Sequence, residues 1–187
     1  MKHLIVGLGN IGDEYRGTRH NIGFTILDAF AEASNIAFST ERYGDVGRGR
    51  VKNQQVVLLK PSTYMNLSGN AVRYWKEQEK IDINNILVLV DDIALPFGAI
   101  RIKPSGSDAG HNGLKNIAQM LGTQAYPRLR FGVGNDFPRG CQVDYVLGHF
   151  SLDQRQQLPT RVGVAVEAIR DCVLAGIQDA MCKFNNK

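Results

Sequence analysis

A chain of 187 residues, 43% hydrophobic and with six prolines, fits one globular domain that buries ~70% of its unfolded surface without a disulfide or metal staple. Cys141, Cys172 and Cys182 are odd in number and lack C-x-x-C spacing, which argues for a reducing compartment and against a zinc site. Basic residues exceed acidic ones by 22 − 18 = 4, compatible with a phosphate-rich partner, while no signal peptide and no apolar run near the ~20 residues of a membrane span is present, so a cytoplasmic protein is expected.

Residues 3–8 read as a buried strand, apolar without interruption as a central strand covered on both faces would be. The next stretch, Gly7-Leu8-Gly9-Asn10-Ile11-Gly12, matches a dinucleotide fingerprint, which needs an immediate helix and an acidic residue at the next strand end. Instead the chain runs into the polar stretch 13–21, and Glu32 falls inside an amphipathic helix. The alternative is that the turn presents Asn10 and the loop presents His20. Ile22, Ile26, Leu27, Phe30 and Ala31 keep helical spacing and predict a helix over 20–33.

Residues 44–51 and 55–60 read as a hairpin turned at Lys52-Asn53-Gln54, followed by a helix over 68–79. Ile86-Leu87-Val88-Leu89-Val90 is a second buried strand, ending in Asp91-Asp92. A strand at 97–103, a Gly/Ser loop, a helix at 113–121 and a strand at 129–133 come next. From Asp153 the chain is helical, with Pro159 expected near a first turn. This alternation predicts an α/β fold: a single domain with a mixed, mostly parallel twisted sheet and helices on both faces, a three-layer αβα arrangement. Ligands bind beyond the carboxyl ends of strands in such sheets. The loops Gly9–Arg19, Pro61–Asn66, Asp91–Leu95 and Pro104–Asn112 are therefore expected on one rim.

Those loops carry neutral amides (Asn10, Asn21, Asn66, Asn112), the imidazoles His20 and His111, and the pair Asp91-Asp92. No Gly-x-Ser-x-Gly elbow occurs, and no cysteine stands beside a plausible base. A histidine held by a carboxylate suits removal of a proton from water, and asparagines can orient that water and donate to an oxyanion. Local structure offers competing explanations. His20, Asn66 and Asn112 each stand where a helix N-cap would, and Asn10 suits a positive-φ turn. Asp91-Asp92 could form a turn or hold Mg²⁺ through waters. Arg101 with Lys103, and Arg128 with Arg130, alternate with apolar residues, as on a solvated sheet edge or on a phosphate-binding face.

Four stretches then match one family in order and spacing. They are Gly7-Leu8-Gly9-Asn10 through Thr18-Arg19-His20-Asn21-Ile22-Gly23, Lys60-Pro61 through Asn66-Leu67-Ser68-Gly69, Asp91 through Gly98, and Gly110-His111-Asn112-Gly113-Leu114-Lys115. Together with Arg128-Leu129-Arg130 they resemble bacterial-type peptidyl-tRNA hydrolase over essentially the whole chain. The resemblance implies cleavage of the ester between a peptide and the 3′-terminal ribose of tRNA, with no cofactor or metal, in a mostly monomeric cytoplasmic enzyme that recycles tRNA from stalled translation. It makes His20 the catalytic base and Asp91 the carboxylate that holds it. Asn10 then discriminates N-blocked from free aminoacyl groups, Asn66 binds peptide backbone, and Asn112 orients water and contacts the tRNA end. Tyr15 and Tyr64 contact the acceptor terminus, Lys103 and Arg130 grip the 5′-phosphate, and His111 and Met65 line the cleft. Ile11 stands where the family has proline, Ala94 where it has an acid, and Ala109 where it has glycine. Residues 135–150, with Gly134, Pro138 and Gly140, could form a mobile cover.

An RNA-binding relative without turnover is the competing reading from the resemblance. A nicotinamide oxidoreductase rests on the opening glycines alone.

Overall fold

The structure, a computed structural model, describes residues 1–185 and 187. The strands are β1 (Lys2–Gly7), β2 (Phe38–Glu41), β3 (Gly44–Val51), β4 (Gln54–Pro61), β5 (Ile86–Asp92), β6 (Ile100–Lys103) and β7 (Arg128–Gly132). They form one 7-stranded sheet in the order β2-β3-β4-β1-β5-β7-β6. The central strands β4, β1, β5 and β7 run parallel, whereas the β2–β3–β4 meander and the edge pair β6–β7 are antiparallel.

The helices are α1 (Ile22–Ala33), α2 (Ser68–Gln78), α3 (Asn112–Leu121), α4 (Gln142–Val146), α5 (Leu152–Leu174) and α6 (Ile177–Phe184). Side chains alternate across the sheet, so each central strand feeds two cores. Ile5 and Leu87 pack with Ile22, Ile26 and Phe30 of α1 and Ala165 and Ile169 of α5. Leu4, Val6 and Val88 pack on the opposite face with Val72 and Trp75 of α2 and Leu114 and Ile117 of α3. The unbroken apolar runs of β1 and β5 are thus explained by burial on both faces, and the three-layer αβα reading holds.

Several expectations need correction. The strand expected at 97–103 begins only at Ile100, because Gly98 sits at φ +81 in a turn whose N–H donates to Gly132 O at 2.9 Å. The 3-10 turn Arg19–Asn21 precedes α1, so that helix starts at Ile22 rather than residue 20. Pro159 is not in a first turn. α5 opens at Leu152 behind a Ser151/Gln154 capping box, which fixes the start well upstream of the proline.

Strand direction matters most for the site. β6 runs antiparallel to β7, with Lys103 opposite Arg128, so Pro104 leaves from the rim opposite the other three loops. The 104–111 loop must climb back along β7. Arg128 and Arg130 fasten it there, and neither lies on a solvated edge: they are 0% and 7% exposed. Arg128 Nη1 donates to the carbonyls of Gly106 (3.0 Å) and Ser107 (3.3 Å), and Nη2 to Gln124 O (2.6 Å). One step higher, Arg130 Nη2 donates to Ser107 O at 2.7 Å.

Candidate active site

Gly7 and Gly9 do not cradle phosphate. A Cβ on Gly7 would strike the backbone of Gly23, and one on Gly9 would lie 2.8 Å from the Phe24 ring, so these glycines let the end of β1 press against the start of α1. Gly12 leads into a 3-10 turn (Asp13–Tyr15) with no buried residue, not into a helix N-terminus that could receive a pyrophosphate. The close approach brings Asn10 against Asn21. Asn21 Oδ1 accepts from Asn10 N and Asn21 Nδ2 donates to Asn10 O, both at 2.8 Å. The backbone of Asn10 is clamped on both polar groups by a buried amide.

His20 leaves the 3-10 turn toward the end of β5. Its Nδ1 lies 3.1 and 3.0 Å from Asp91 Oδ1 and Oδ2. An ionised carboxylate only accepts, so Nδ1 carries the proton and Nε2 is left as the basic atom. The cap role for His20 is overturned, since the N-cap of α1 is Asn21.

His111 approaches Asp91 from the other side, with Nε2 3.0 Å from Oδ1. It is also the N-cap of α3: its Nδ1 accepts from Gly113 N (3.1 Å) and Leu114 N (3.4 Å). Capping therefore fixes the His111 tautomer, with the proton on Nε2 facing Asp91. Asn112, expected as that cap, is instead the first helical residue and is exposed. Asn66 is no cap either; it lies in the 3-10 turn Met65–Leu67, and the N-cap of α2 is Leu67, without a side-chain bond.

Burial opposes ionisation of Asp91, but the charge and hydrogen bond of His111 and those of His20 outweigh it and hold the carboxyl well below the usual carboxylate range. For His20, burial disfavours the imidazolium, yet the Asp91 hydrogen bond and charge prevail and raise its pKa above the ordinary value. The two adjacent acids have parted roles. Asp92 Oδ1 accepts from Ala94 N at 2.8 Å as a turn former, and Oδ2 lies 3.5 Å from Arg130 Nη1. Neither carboxylate is left free to hold Mg²⁺ through waters.

His20, Asp91 and His111 also offer ligand atoms within 4.8 Å of one another, although the sequence spacing of the histidines does not suggest a metal. The cap argues against a ligand set. Freeing His111 Nε2 for an ion would move its proton onto Nδ1, against the N–H groups of Gly113 and Leu114.

These residues wall a cavity of ≈ 270 Å³ that also includes Asn10, Asn112, Leu114 and Arg130, with Gln142, Val143, Val146 and Leu147 from α4 and its end. None of the described residues in its wall is Ser, Thr or Cys. The other sequence candidates lie outside that wall. Met65 is buried, with its sulfur 2.8 Å from where a Gly113 Cβ would stand, which sets the exposed Asn66 beside the start of α3. Tyr64 is 81% exposed and Tyr15 half-buried. Lys103 is exposed on the edge strand three residue steps below the level of Asp91, about 10 Å away along the strand; because Arg101 lies opposite Arg130 and Lys103 opposite Arg128, Lys103 and the buried Arg130 are diagonal neighbours on one face of the sheet. Reading the sequence missed the Asn21 clamp and the second imidazole on Asp91. Asn21 adjoins His20, and His111 adjoins Asn112, so adjacency to a candidate was the available signal.

An α/β fold whose strand-end cleft pairs a histidine with a buried carboxylate, with no Ser, Thr or Cys among the described residues of its wall, has the layout of an α/β enzyme whose site lies beyond the carboxyl ends of its strands. Comparison with known proteins gives the family. A family model described as peptidyl-tRNA hydrolase matches residues 4–187. The peptidyl-tRNA hydrolase of Phocaeicola vulgatus is 60% identical over 187 residues, 100% of both chains. That of Clostridium botulinum is 46% identical over 184 residues, 98% of this chain and 96% of its own. A crystal structure of peptidyl-tRNA hydrolase from Acinetobacter baumannii superposes with a TM-score of 0.92 at 33% identity, covering 98% of this chain and 94% of that one. The chain belongs to the peptidyl-tRNA hydrolase family and is an enzyme, a hydrolase.

Proposed function

We propose that this enzyme hydrolyses the ester between an N-blocked aminoacyl or peptidyl group and the 3′-terminal ribose of tRNA, using a water activated by His20. The observation that carries the reading is the His20–Asp91 pair in a cavity without a hydroxyl or thiol. With Nδ1 committed to Asp91, Nε2 takes a proton from water as its oxygen attacks the ester carbonyl. The tetrahedral intermediate collapses with cleavage of the acyl–oxygen bond. The imidazolium returns the proton to the ribose oxygen, giving a free tRNA hydroxyl and a peptide carboxylate. Asn10, held by Asn21, and Asn112, at the start of α3, are suited to orient the acyl group and the water and to donate to the developing oxyanion.

The chemistry needs neither metal nor cofactor, consistent with a His111 tautomer that turns an N–H toward Asp91. For the nucleic acid, exposed Arg101 and Lys103 lie opposite Arg130 and Arg128 on one face of the edge strands, where phosphate could settle with Arg130 as the inner member. Exposed Tyr64 and half-exposed Tyr15 suit stacking on a base or ribose near the acceptor end, and Asn66 and Met65 suit the peptide side. Recycling of tRNA from interrupted translation is the role this reaction would serve, in the cytoplasm.

The direct test is purified protein with N-acetyl-aminoacyl-tRNA in ¹⁸O-water and no added metal or nicotinamide. The expected products are free tRNA and an N-acetyl amino acid carrying ¹⁸O in its carboxylate. Tight binding without release of product would favour an RNA-binding protein that has lost turnover.

A further inference from the structure

Arg19 has no part in the chemistry above, yet it ties the cavity wall to the proposed base. It immediately precedes His20, and its guanidinium leaves on the side of α4. The Arg19 Cζ stands 3.9 Å from the centroid of the Tyr145 ring, and Nη1 donates to Tyr145 O at 3.0 Å. The backbone joins as well: Arg19 N donates to Gly148 O at 3.0 Å, and Thr18 bridges to His149. Gly148 eases this approach, since a Cβ there would fall in tight contact, 3.2 Å from Asp144 O and 3.3 Å from Arg19 Nη1.

Tyr145 is itself anchored, its hydroxyl donating to Val133 O at 2.6 Å and its ring 4.9 Å from Phe137. From the same short helix, Gln142, Val143 and Val146 reach the cavity. Arg19 Nε is buried without a protein hydrogen-bond partner, so it is the Nη1 bond and the Tyr145 ring that hold the guanidinium.

We infer that Arg19 is a positioning residue that joins the α4 wall of the cavity to the 3-10 turn bearing His20, so that seating of α4 and alignment of the imidazole are one event. The guanidinium fork is essential. A guanidinium can place Cζ over the Tyr145 ring while a separate Nη1–H donates to the Tyr145 carbonyl, whereas the compact ammonium of lysine lacks that fork. The inference rests on the proposed role of His20 in hydrolysis, and its test keeps the two separate.

The experiment compares wild type, Arg19→Ala, Arg19→Lys, Tyr145→Leu and the Arg19→Ala/Tyr145→Leu double variant. It reads kcat and KM on N-acetyl-aminoacyl-tRNA and amide hydrogen exchange across residues 142–148. Expected is a fall in kcat of about tenfold or more in both Arg19 variants with a smaller change in KM, because misalignment of a base by a fraction of an ångström acts on the chemical step. Exchange in α4 should accelerate while that in α2 stays as in wild type. The double variant should be no worse than the more damaging single one, since both changes break the same joint.

A structural role alone lowers Tm but leaves kcat of the folded enzyme and α4 exchange as in wild type, and that result overturns the inference. So does full recovery of kcat by Arg19→Lys, which also serves if Arg19→Ala does not fold. Wild type without hydrolysis would sink the proposed function instead. The exchange measurement would still decide the joint, its failure being α4 protection that ignores Arg19.

Discussion

Asp91 accepts from two imidazoles that differ in what holds them. His20 is hydrogen-bonded through Nδ1 to Asp91, while His111 is fixed independently by capping α3, which makes His111 a permanent N–H donor to the carboxylate. Each donor withdraws charge that Asp91 would otherwise offer the other. His111→Ser keeps a capping oxygen but removes that donor. The carboxylate should then hold the His20 proton more strongly and move the acidic limb of the kcat/KM profile to higher pH. A limb that stays in place or moves down would contradict this coupling. Asp91→Asn works in the opposite direction, because His20 owes its raised pKa to Asp91. Wild type should lose activity on acidification at a pH above the ordinary histidine value of about 6.5, and the amide variant at a lower pH. The rate of that variant should also fall about 10²- to 10⁴-fold, measured where both forms are deprotonated. For stability the sign is the reverse of activity. The raised His20 pKa stabilises the fold below about 6.5, and this contribution is lost as pH rises through the folded value.

At the level of elements, the site depends on β1 and α1 meeting without side chains between them. A Cβ on Gly23 would lie 2.5 Å from Leu8 N and 2.5 Å from Leu89 O, both backbone atoms that cannot swing aside. Gly23→Ala should therefore cost about 1–3 kcal/mol and lower Tm by roughly 3–10 °C by thermal unfolding. An unchanged Tm would mean that the contact is not as close as described. Elements with a strong period were legible in the sequence: β1 and β5 by their uninterrupted apolar runs, and α1 by Ile22, Ile26 and Phe30 at helical spacing. The features that escaped were set by long-range geometry. Propensity favoured Asn112 as the cap of α3, but the neighbour that also reaches Asp91 took the position. Arg128 and Arg130 alternate like a wet edge, yet they are buried because a returning loop needs its carbonyls satisfied. No local pattern announces a loop that arrives from the opposite rim.

At the scale of the whole molecule, one rim gathers His20, Asp91, Asn10 and the start of α3, while the basic edge strand continues downward from it. On the proposed function, that layout would separate affinity for tRNA from chemistry on the ester. Lys103→Ala should weaken tRNA binding and flatten the slope of log K against log salt by about 0.7–0.9, the change expected for one lost phosphate contact. It should leave hydrolysis of a minimal N-acetyl-aminoacyl adenosine ester nearly unchanged, and an unaltered salt slope would remove Lys103 from the interface. The sequence indicated the candidate residues on this rim because post-strand loops of parallel strands converge there. It could not indicate that Lys103 stands diagonally across from Arg130 and three steps below Asp91, since strand direction and register at the edge decide that. Above all, His20 is proposed to act on water rather than on binding. Single-turnover hydrolysis of N-acetyl-aminoacyl-tRNA by His20→Ala, alongside its tRNA affinity, separates these two roles. The expected rate is at least ~10²-fold below wild type with Kd little changed. A rate near wild type, or a loss explained wholly by weaker binding, would contradict the role of His20 as the base.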